Sequence, residues 1–241
     1  MQDNGISSTS SADQPERVLR LFIIQGIPIL AYDGAESESA MIVAREVNSN
    51  CYLRPGLEFE PGDVVLDIGA HVGIFSMFLA KKWPFLRVLA FEPFPSNYRN
   101  CLENLRLNGI ENVELSPRAV TRDGRTLTMA VNPRNSGGAS AVKETHRRYG
   151  VVGQIPSVRL DEILAKGRIG KCKLLKIDCE GLEYEILYDT ANLSRMEYLS
   201  GEFHINRYLK SLDYTPERLL QYCSKWIPLD RISVQFCKVS D

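Results

Sequence analysis

The stretch VVLDIGAHVG, residues 64–73, decides the fold of this chain. Its first half, VVLDI, is apolar except for Asp67, which predicts a strand buried on both faces. Its glycines predict a sharp turn into a following helix. Further apolar strands are predicted at residues 87–93, 112–120, 173–181 and 196–204, and helical segments lie between most of them. This alternation predicts a doubly wound α/β fold, in which a mostly parallel sheet has helices on both faces.

The segments outside this repeating unit predict appendages to it. Residues 1–15 are polar and rich in serine, which predicts a disordered lead-in. Residues 16–60 predict an extension made of a β-hairpin and a helix, and residues 61–241 the main domain. The segment NSGGAS, residues 135–140, is typical of a flexible loop, and the C-terminal tail predicts an antiparallel strand at the sheet edge.

Composition and charge exclude several classes of protein. Lys and Arg number 29 against 30 Asp and Glu, a balance that argues against a dedicated nucleic-acid binder. Six cysteines without a CxxC pair favour reduced thiols over a disulfide framework or a zinc knuckle. The apolar stretch from Val18 to Leu30 is too short and too interrupted to cross a bilayer. We therefore predict a cytoplasmic protein that does not bind membranes.

A nucleoside-bearing cofactor is predicted by two acidic residues at strand ends. Asp67 begins a D-x-G-x-x-x-G pattern, and Glu92 ends the next strand, where a carboxylate can accept hydrogen bonds from ribose hydroxyls. A dinucleotide fingerprint has glycine at the position of Asp67, and an anion there disfavours a pyrophosphate. The pattern therefore favours S-adenosylmethionine, with its positive amino group, over a nicotinamide cofactor.

The same residues carry a resemblance to a known family. Asp67-x-Gly-Ala-x-x-Gly73, Phe91-Glu92-Pro93 and the more specific K-I-D-C-E-G at residues 176–181 resemble the FkbM-type methyltransferases over about residues 50–205. The resemblance implies a class I methyltransferase, Rossmann-like fold and mostly O-methylation of small molecules or sugars. One departure is His71, where the family usually has asparagine.

The resemblance also implies which residues hold the cofactor. Glu92 and Pro93 would lie at the ribose, and Ala119 and Val120 near the adenine. The residues implied for the methionine end are Asp67, Gly69, Ala70, His71 and Gly73, and Asp178 would also contact the cofactor.

Four side chains are the candidate catalytic groups. Asp178 and Glu180 end the fourth strand, and Glu202 and His204 end the fifth, so all four are predicted to face one cleft. His204 is the candidate general base, with Asp178 or Glu202 orienting it or binding an acceptor hydroxyl. The same four groups could instead bind a divalent cation, although we assign no metal ligand. An ordinary structural role, in which Glu180 and Glu202 cap loops or pair with Lys176 or Arg207, is the other alternative.

The predicted function is O-methylation of a small-molecule hydroxyl by S-adenosylmethionine. The acceptor class stays open among natural products, carrier-linked substrates and saccharides, and a dimer is one option for the assembly. The alternatives are a nucleic-acid methyltransferase and a non-catalytic protein that keeps the cofactor pocket. His146, Arg134, Arg147 and Arg148 predict a small basic zone, most simply a solvated surface, and Cys179 is predicted to be a small buried residue.

Overall fold

The computed structural model describes residues 16–132, 135–140 and 151–238. The strands are β1 (Arg17–Ile24), β2 (Ile27–Gly34), β3 (Val64–Ile68), β4 (Arg87–Phe91), β5 (Val113–Ser116), β6 (Ala119–Thr121), β7 (Leu127–Asn132), β8 (Asn135–Ser140), β9 (Val151–Ile155), β10 (Ser157–Arg159), β11 (Cys172–Ile177), β12 (Met196–Ile205) and β13 (Ile232–Lys238). The α-helices are α1 (Ser39–Asn48), α2 (Ile74–Lys82), α3 (Pro95–Leu107), α4 (Leu160–Lys166), α5 (Glu183–Asp189), α6 (Arg207–Ser211) and α7 (Pro216–Cys223).

The central sheet has six strands in the order β13-β12-β11-β3-β4-β5, and all of its pairings are parallel. Strand order reverses between β3 and β11, because β4 and β5 follow on one side of β3 and β11 begins the other side. Ligands of doubly wound sheets bind outside the carboxyl ends of the strands at such a reversal. The predicted doubly wound α/β fold is confirmed.

The sheet is buried on both faces because its strands alternate apolar side chains toward two cores. In β3, Val65 packs with α1, α2, α3 and the hairpin, whereas Leu66 and Ile68 pack with α4, α5 and α7. Asp67 follows the same period of two and therefore faces the α2 side. None of the helices among the described residues is long and apolar enough to cross a membrane.

The N-terminal hairpin is held to the main domain by two asparagines of α3. Strands β1 and β2 pair antiparallel around Gln25 and Gly26, as predicted. Asn104 accepts a hydrogen bond from the Tyr32 N–H (2.7 Å) and donates to the Tyr32 carbonyl (3.1 Å). Asn108 makes the same pair of bonds with Leu30, at 3.1 and 2.6 Å. The two amides thus bond β2 as a neighbouring strand would.

Three predictions about strands need correction. The predicted strand at residues 112–120 is two strands, since Pro117 lies between them; β5 joins the central sheet, and β6 pairs with β10. Residues 135–140, predicted to be a loop, form β8, which pairs antiparallel with β7. The C-terminal strand β13 is parallel to β12, not antiparallel, because α6 and α7 carry the chain back before β13 begins.

Replacing Gly201 should destabilise the fold strongly. Gly201 lies in β12 with φ of 134°, and an added Cβ would sit 1.8 Å from the Ile177 carbonyl oxygen of β11. We expect Gly201→Ala to lower the free energy of unfolding by about 2–4 kcal/mol, as measured by urea denaturation. Gly109→Ala is the matched control, since its φ is also positive (63°) but no atom lies within 4 Å of the added Cβ. Equal losses in the two variants would contradict the steric explanation.

Candidate active site

A cavity of about 250 Å³ opens at the carboxyl ends of β3, β4 and β11, where the strand order reverses. Most of the residues predicted to bind the cofactor line it, namely Gly69, Ala70, His71, Glu92, Pro93, Ala119, Val120 and Asp178. Three of the four candidate catalytic groups also line it, namely Asp178, Glu180 and Glu202. The fourth, His204, lies behind these carboxylates and is 4% exposed. The structure therefore brings both predicted sets together around one space.

Glu92 is fixed by the backbone of two loops. Its Oε2 accepts the His71 N–H at 2.8 Å, and its Oε1 accepts the Phe94 N–H at 2.9 Å. Burial raises the pKa of this carboxyl to about 7, against the effect of the two backbone hydrogen bonds. Each oxygen retains a lone pair for a further donor, which is what the hydroxyls of a bound ribose would offer.

Asp67 lies beneath the cavity, in place of the cofactor contact predicted from the sequence. Its side chain is fully buried; Oδ2 accepts a hydrogen bond from the Ser76 hydroxyl at 2.6 Å, and Oδ1 lies 3.3 Å from Lys176 Nζ. The reason is the alternation of β3, which turns Asp67 toward α2. Lys176 also donates to the Gly69 carbonyl at 2.7 Å and lies 3.6 Å from Asp178 Oδ2. Asp67 thus fixes the Lys176 ammonium, which in turn holds the Gly69 loop at the cavity.

The two glycines of the motif allow close packing. A Cβ on Gly69 would lie 1.8 Å from the Asp178 carbonyl oxygen, so glycine is required where the loops after β3 and β11 touch. A Cβ on Gly73 would lie 2.7 Å from Cys101 Sγ of α3, and Gly73 is therefore placed at a helix contact rather than on the cavity wall. Both have positive φ, 83° and 89°.

His71 adopts a left-handed backbone conformation, with φ of 53°, which turns its N–H toward Glu92. Its side chain is buried, and its Nε2 lies 4.0 Å from Asp33 Oδ1. Burial lowers the pKa of this imidazole to about 4, although the nearby Asp33 carboxylate acts in the opposite direction. His71 is therefore neutral near pH 7. The backbone N–H, which any residue type would supply, makes the bond to Glu92.

His204 is surrounded by four carboxyl groups. Its Nδ1 lies 3.0 Å from Glu183 Oε1, and its Nε2 lies 3.4 Å from Glu202, 3.8 Å from Glu180 and 3.9 Å from Asp178. Burial opposes protonation, but the carboxylates outweigh it and hold the pKa of His204 well above its ordinary value. His204 therefore holds a proton more tightly than an ordinary histidine does, which makes it a weaker candidate for the general base.

Glu183 is the main functional residue that sequence reasoning missed. It is fully buried in the first turn of α5, accepts the N–H groups of Cys179 (2.9 Å) and Gly181 (3.0 Å), and fixes the His204 ring. Burial would raise its pKa, but His204 and the backbone donors lower it below the ordinary value. An acidic residue at a helix N-terminus, two residues after the end of K-I-D-C-E-G, was the available signal.

The remaining carboxyl groups differ in their surroundings. Burial raises the pKa of Glu180 to about 7 and also raises the pKa of Asp178. The hydrogen bond with His204 lowers the pKa of Glu202. Glu180 has a positive φ of 55° and is followed by Gly181, also positive at 107°, so a tight turn presents its carboxyl to the cavity.

Helix α1 of the N-terminal extension supplies another wall of the cavity. Ile42, Val43 and Glu46 line it. The Tyr52 hydroxyl donates to Glu46 Oε2 at 2.6 Å and fixes this side chain. The predicted basic zone at Arg134, His146, Arg147 and Arg148 lies outside the described residues.

Comparison with known proteins identifies the family. The family model described as the methyltransferase FkbM domain matches residues 67–222. The chain belongs to the FkbM methyltransferase family. This membership confirms the resemblance seen in the sequence and supports S-adenosylmethionine as the methyl donor.

Individual relatives share part of the chain. It is 30% identical over 198 residues to 31-O-demethyl-FK506 methyltransferase FkbM of Streptomyces tacrolimicus, over 68% of this chain and 75% of that protein. It is 28% identical over 187 residues to methyltransferase sdnD of Sordaria araneosa, over 66% and 71%. A solved structure, precorrin-6y C5,15-methyltransferase from Geobacter metallireducens GS-15, matches with a TM-score of 0.42 and 17% identity, over 74% of this chain and 71% of that chain.

Because Asp67 is buried in an ion pair, removing its side chain should lower the stability of the protein. We expect Asp67→Ala to destabilise this FkbM-family protein by about 3–5 kcal/mol, because it leaves the buried Lys176 ammonium without its nearest carboxylate. The double variant Asp67→Ala/Lys176→Met should recover part of that loss. Urea denaturation of the two single variants and the double variant measures both effects. An Asp67→Ala protein of wild-type stability would contradict the positioning role.

Glu92 should make the stability of the ligand-free protein depend on pH. The unfolded carboxyl ionises near 4.5 and the folded one near 7, so the folded state binds more protons between these values. Stability contributed by the protonated form is therefore lost as pH rises through this window. The Glu92→Gln variant has no carboxyl at this position, so it should not lose stability in this way as pH rises.

We expect the free energy of unfolding of Glu92→Gln, relative to that of the wild type, to rise by about 2–4 kcal/mol between pH 4.5 and pH 8. Urea denaturation at both pH values measures the difference. The exposed Glu58→Gln variant controls for exchanging a carboxyl for an amide. A wild-type-to-variant difference that is the same at both pH values would show that Glu92 does not titrate in this way.

Proposed function

We propose that this FkbM-family chain transfers the methyl group of S-adenosylmethionine to a hydroxyl of a small molecule. The observation that carries the proposal is a single cavity with two chemically different ends. Glu92 lies at one end, among residues suited to a nucleoside, and the carboxyl groups of Asp178, Glu180 and Glu202 lie at the other. A bound donor would thus be next to groups that can accept a proton.

The residues present fit the donor. Both oxygens of Glu92 have capacity for ribose hydroxyls, and the apolar side chains of Phe91, Ala119, Val120 and Leu127 also line the cavity, as an adenine ring requires. Gly69 and Ala70 of the loop after β3 also line the cavity. S-adenosylmethionine would supply the electrophilic methyl group.

The chain's own contribution is to position the acceptor and receive its proton. As the oxygen–methyl bond forms and the sulfur–methyl bond breaks, the hydroxyl proton must leave the oxygen. We assign it to Glu202, which lines the cavity and is held by His204 Nε2 at 3.4 Å. His204, fixed in turn by Glu183, is a positioning residue in this scheme. S-adenosylhomocysteine and the methyl ether are the products.

The charge of the cavity favours a neutral or cationic acceptor. Glu46, Asp178, Glu180 and Glu202 face its acceptor end, whereas Lys176 is already bonded to Asp67 and Gly69. A phosphate group would be repelled by these carboxylates. This supports a hydroxylated natural product or sugar over a nucleic acid. We also propose a cytoplasmic location, with which six free cysteines agree.

The proposal is tested by binding and turnover measured separately. Isothermal titration should show binding of S-adenosylmethionine and S-adenosylhomocysteine but not of NAD. Transfer of a radiolabelled methyl group to a panel of hydroxylated small molecules then identifies acceptors. Absence of binding by either sulfur ligand would overturn the function, and binding without transfer to any acceptor would favour the non-catalytic alternative.

Glu202→Gln should separate these two steps once an acceptor is known. We expect kcat to fall by about 10²–10⁴-fold, the usual contribution of a positioned proton acceptor, while the Kd for S-adenosylmethionine stays within about threefold. Glu185→Gln, which removes a carboxyl of α5 that is paired with Arg125 and does not line the cavity, is the control. Unchanged turnover in Glu202→Gln would remove Glu202 from this role.

A further inference from the structure

We infer that Asp178, Glu180 and the Nε2 atom of His204 bind a divalent metal ion of the Mn²⁺ type at the acceptor end of the cavity. The binding site stands on the geometry of these side chains. Only the role given to the ion, to hold the acceptor oxygen, rests on the proposed function. When the ion is bound, His204 Nε2 ligates it in place of its contact with Glu202, and Glu202 receives the proton.

The first observation is the spacing of the three candidate ligands. One ligand atom from each residue lies within 4.8 Å of the others. His204 Nε2 is 3.8 Å from Glu180 Oε2 and 3.9 Å from Asp178 Oδ1, which is too long for a direct hydrogen bond. Two ligands that share a cation at about 2.1 Å are about 3.0–3.5 Å apart. Inward shifts of less than about 1 Å would therefore complete the coordination.

The second observation is the orientation of the His204 ring, which is independent of the acidic residues in front of it. Glu183 already accepts backbone N–H groups from Cys179 and Gly181, so it acts as an ionised acceptor. Its bond to His204 Nδ1 therefore places the ring proton on Nδ1. The buried Nε2 is left facing the carboxylates. Metal-binding histidines are fixed in the same way, by a carboxylate on the second nitrogen.

The third observation is the charge of the cluster, in which three carboxyl groups face one imidazole nitrogen. If Nε2 carries a proton, that single donor faces carboxyl oxygens of Asp178, Glu180 and Glu202 and can bond only one of them well. The nearby ammonium of Lys176 is shared with Asp67 and the Gly69 carbonyl. A divalent cation would bind Asp178 and Glu180 at once and leave Glu202 to the acceptor.

The donor set indicates the class of ion. Mg²⁺ and Ca²⁺ prefer oxygen ligands alone, whereas one imidazole with two carboxylates suits Mn²⁺ and related transition metals. An acceptor hydroxyl bound to such an ion loses its proton more readily, and the proton passes to Glu202 as assigned above. No electron transfer is involved, and the ion is not consumed.

The test is Mn²⁺ binding to the EDTA-treated full chain, followed by electron paramagnetic resonance of free Mn²⁺. The wild type should bind one ion per chain. Glu180→Gln, which alters a partly exposed side chain, and His204→Gln should each weaken binding by about tenfold or more. Glu46→Gln is the matched control, because it removes a carboxyl from the same cavity but not from the ligand set; its affinity should stay within about threefold of the wild type.

The outcomes distinguish this inference from the proposed function. Binding of S-adenosylhomocysteine and thermal unfolding are measured on the same samples, so that loss of the fold or of the donor site is recognised. No saturable Mn²⁺ binding, with S-adenosylhomocysteine still bound, would overturn the metal site and leave the methyltransferase proposal intact. Equal weakening by Glu46→Gln and Glu180→Gln would overturn it too, because general acidity would then explain the binding.

Discussion

The buried ion pair between Lys176 and Asp67 is the interaction on which the rest of the cavity depends. It joins β11 to β3 across the point where strand order reverses, and the two residues are register partners. Through its other bonds Lys176 fixes the Gly69 carbonyl and approaches Asp178. One ammonium group thus sets the relative position of both loops that border the cavity floor. Both side chains are buried, so solvent competes little with the pair and its geometry is tightly determined.

The two ends of the cavity stabilise buried charged groups in different ways. Glu92 has backbone N–H donors, and no cationic side chain of the described residues forms an ion pair with it; its pKa is raised to about 7. The other end gathers several carboxyl groups around His204, so the imidazole and the carboxylates stabilise each other's charge. A neutral sugar edge suits the first arrangement. The second arrangement suits a region where carboxyl groups accept a proton and stabilise positive charge during a reaction.

Periodicity in the sequence predicted the sheet, the hairpin and the strand ends, because apolar runs and glycines report local backbone conformation and burial. What it did not predict depends on neighbours in space. The direction of Asp67 follows from the helix that covers β3, and the role of Glu183 follows from α5 lying beneath the His204 ring. The break at Pro117 could have been predicted, since proline removes a ladder donor. The parallel β13 required knowledge that two helices return the chain.

The asparagines of α3 have a consequence for how molecules of this protein meet. An open strand edge is a template for pairing with another chain, and a two-stranded hairpin has two such edges. Asn104 and Asn108 occupy the outward N–H and carbonyl groups of Leu30 and Tyr32, so the β2 edge has no free ladder groups at these two residues. Self-association by edge-to-edge pairing is therefore blocked there, and a helix protects against aggregation without adding a strand.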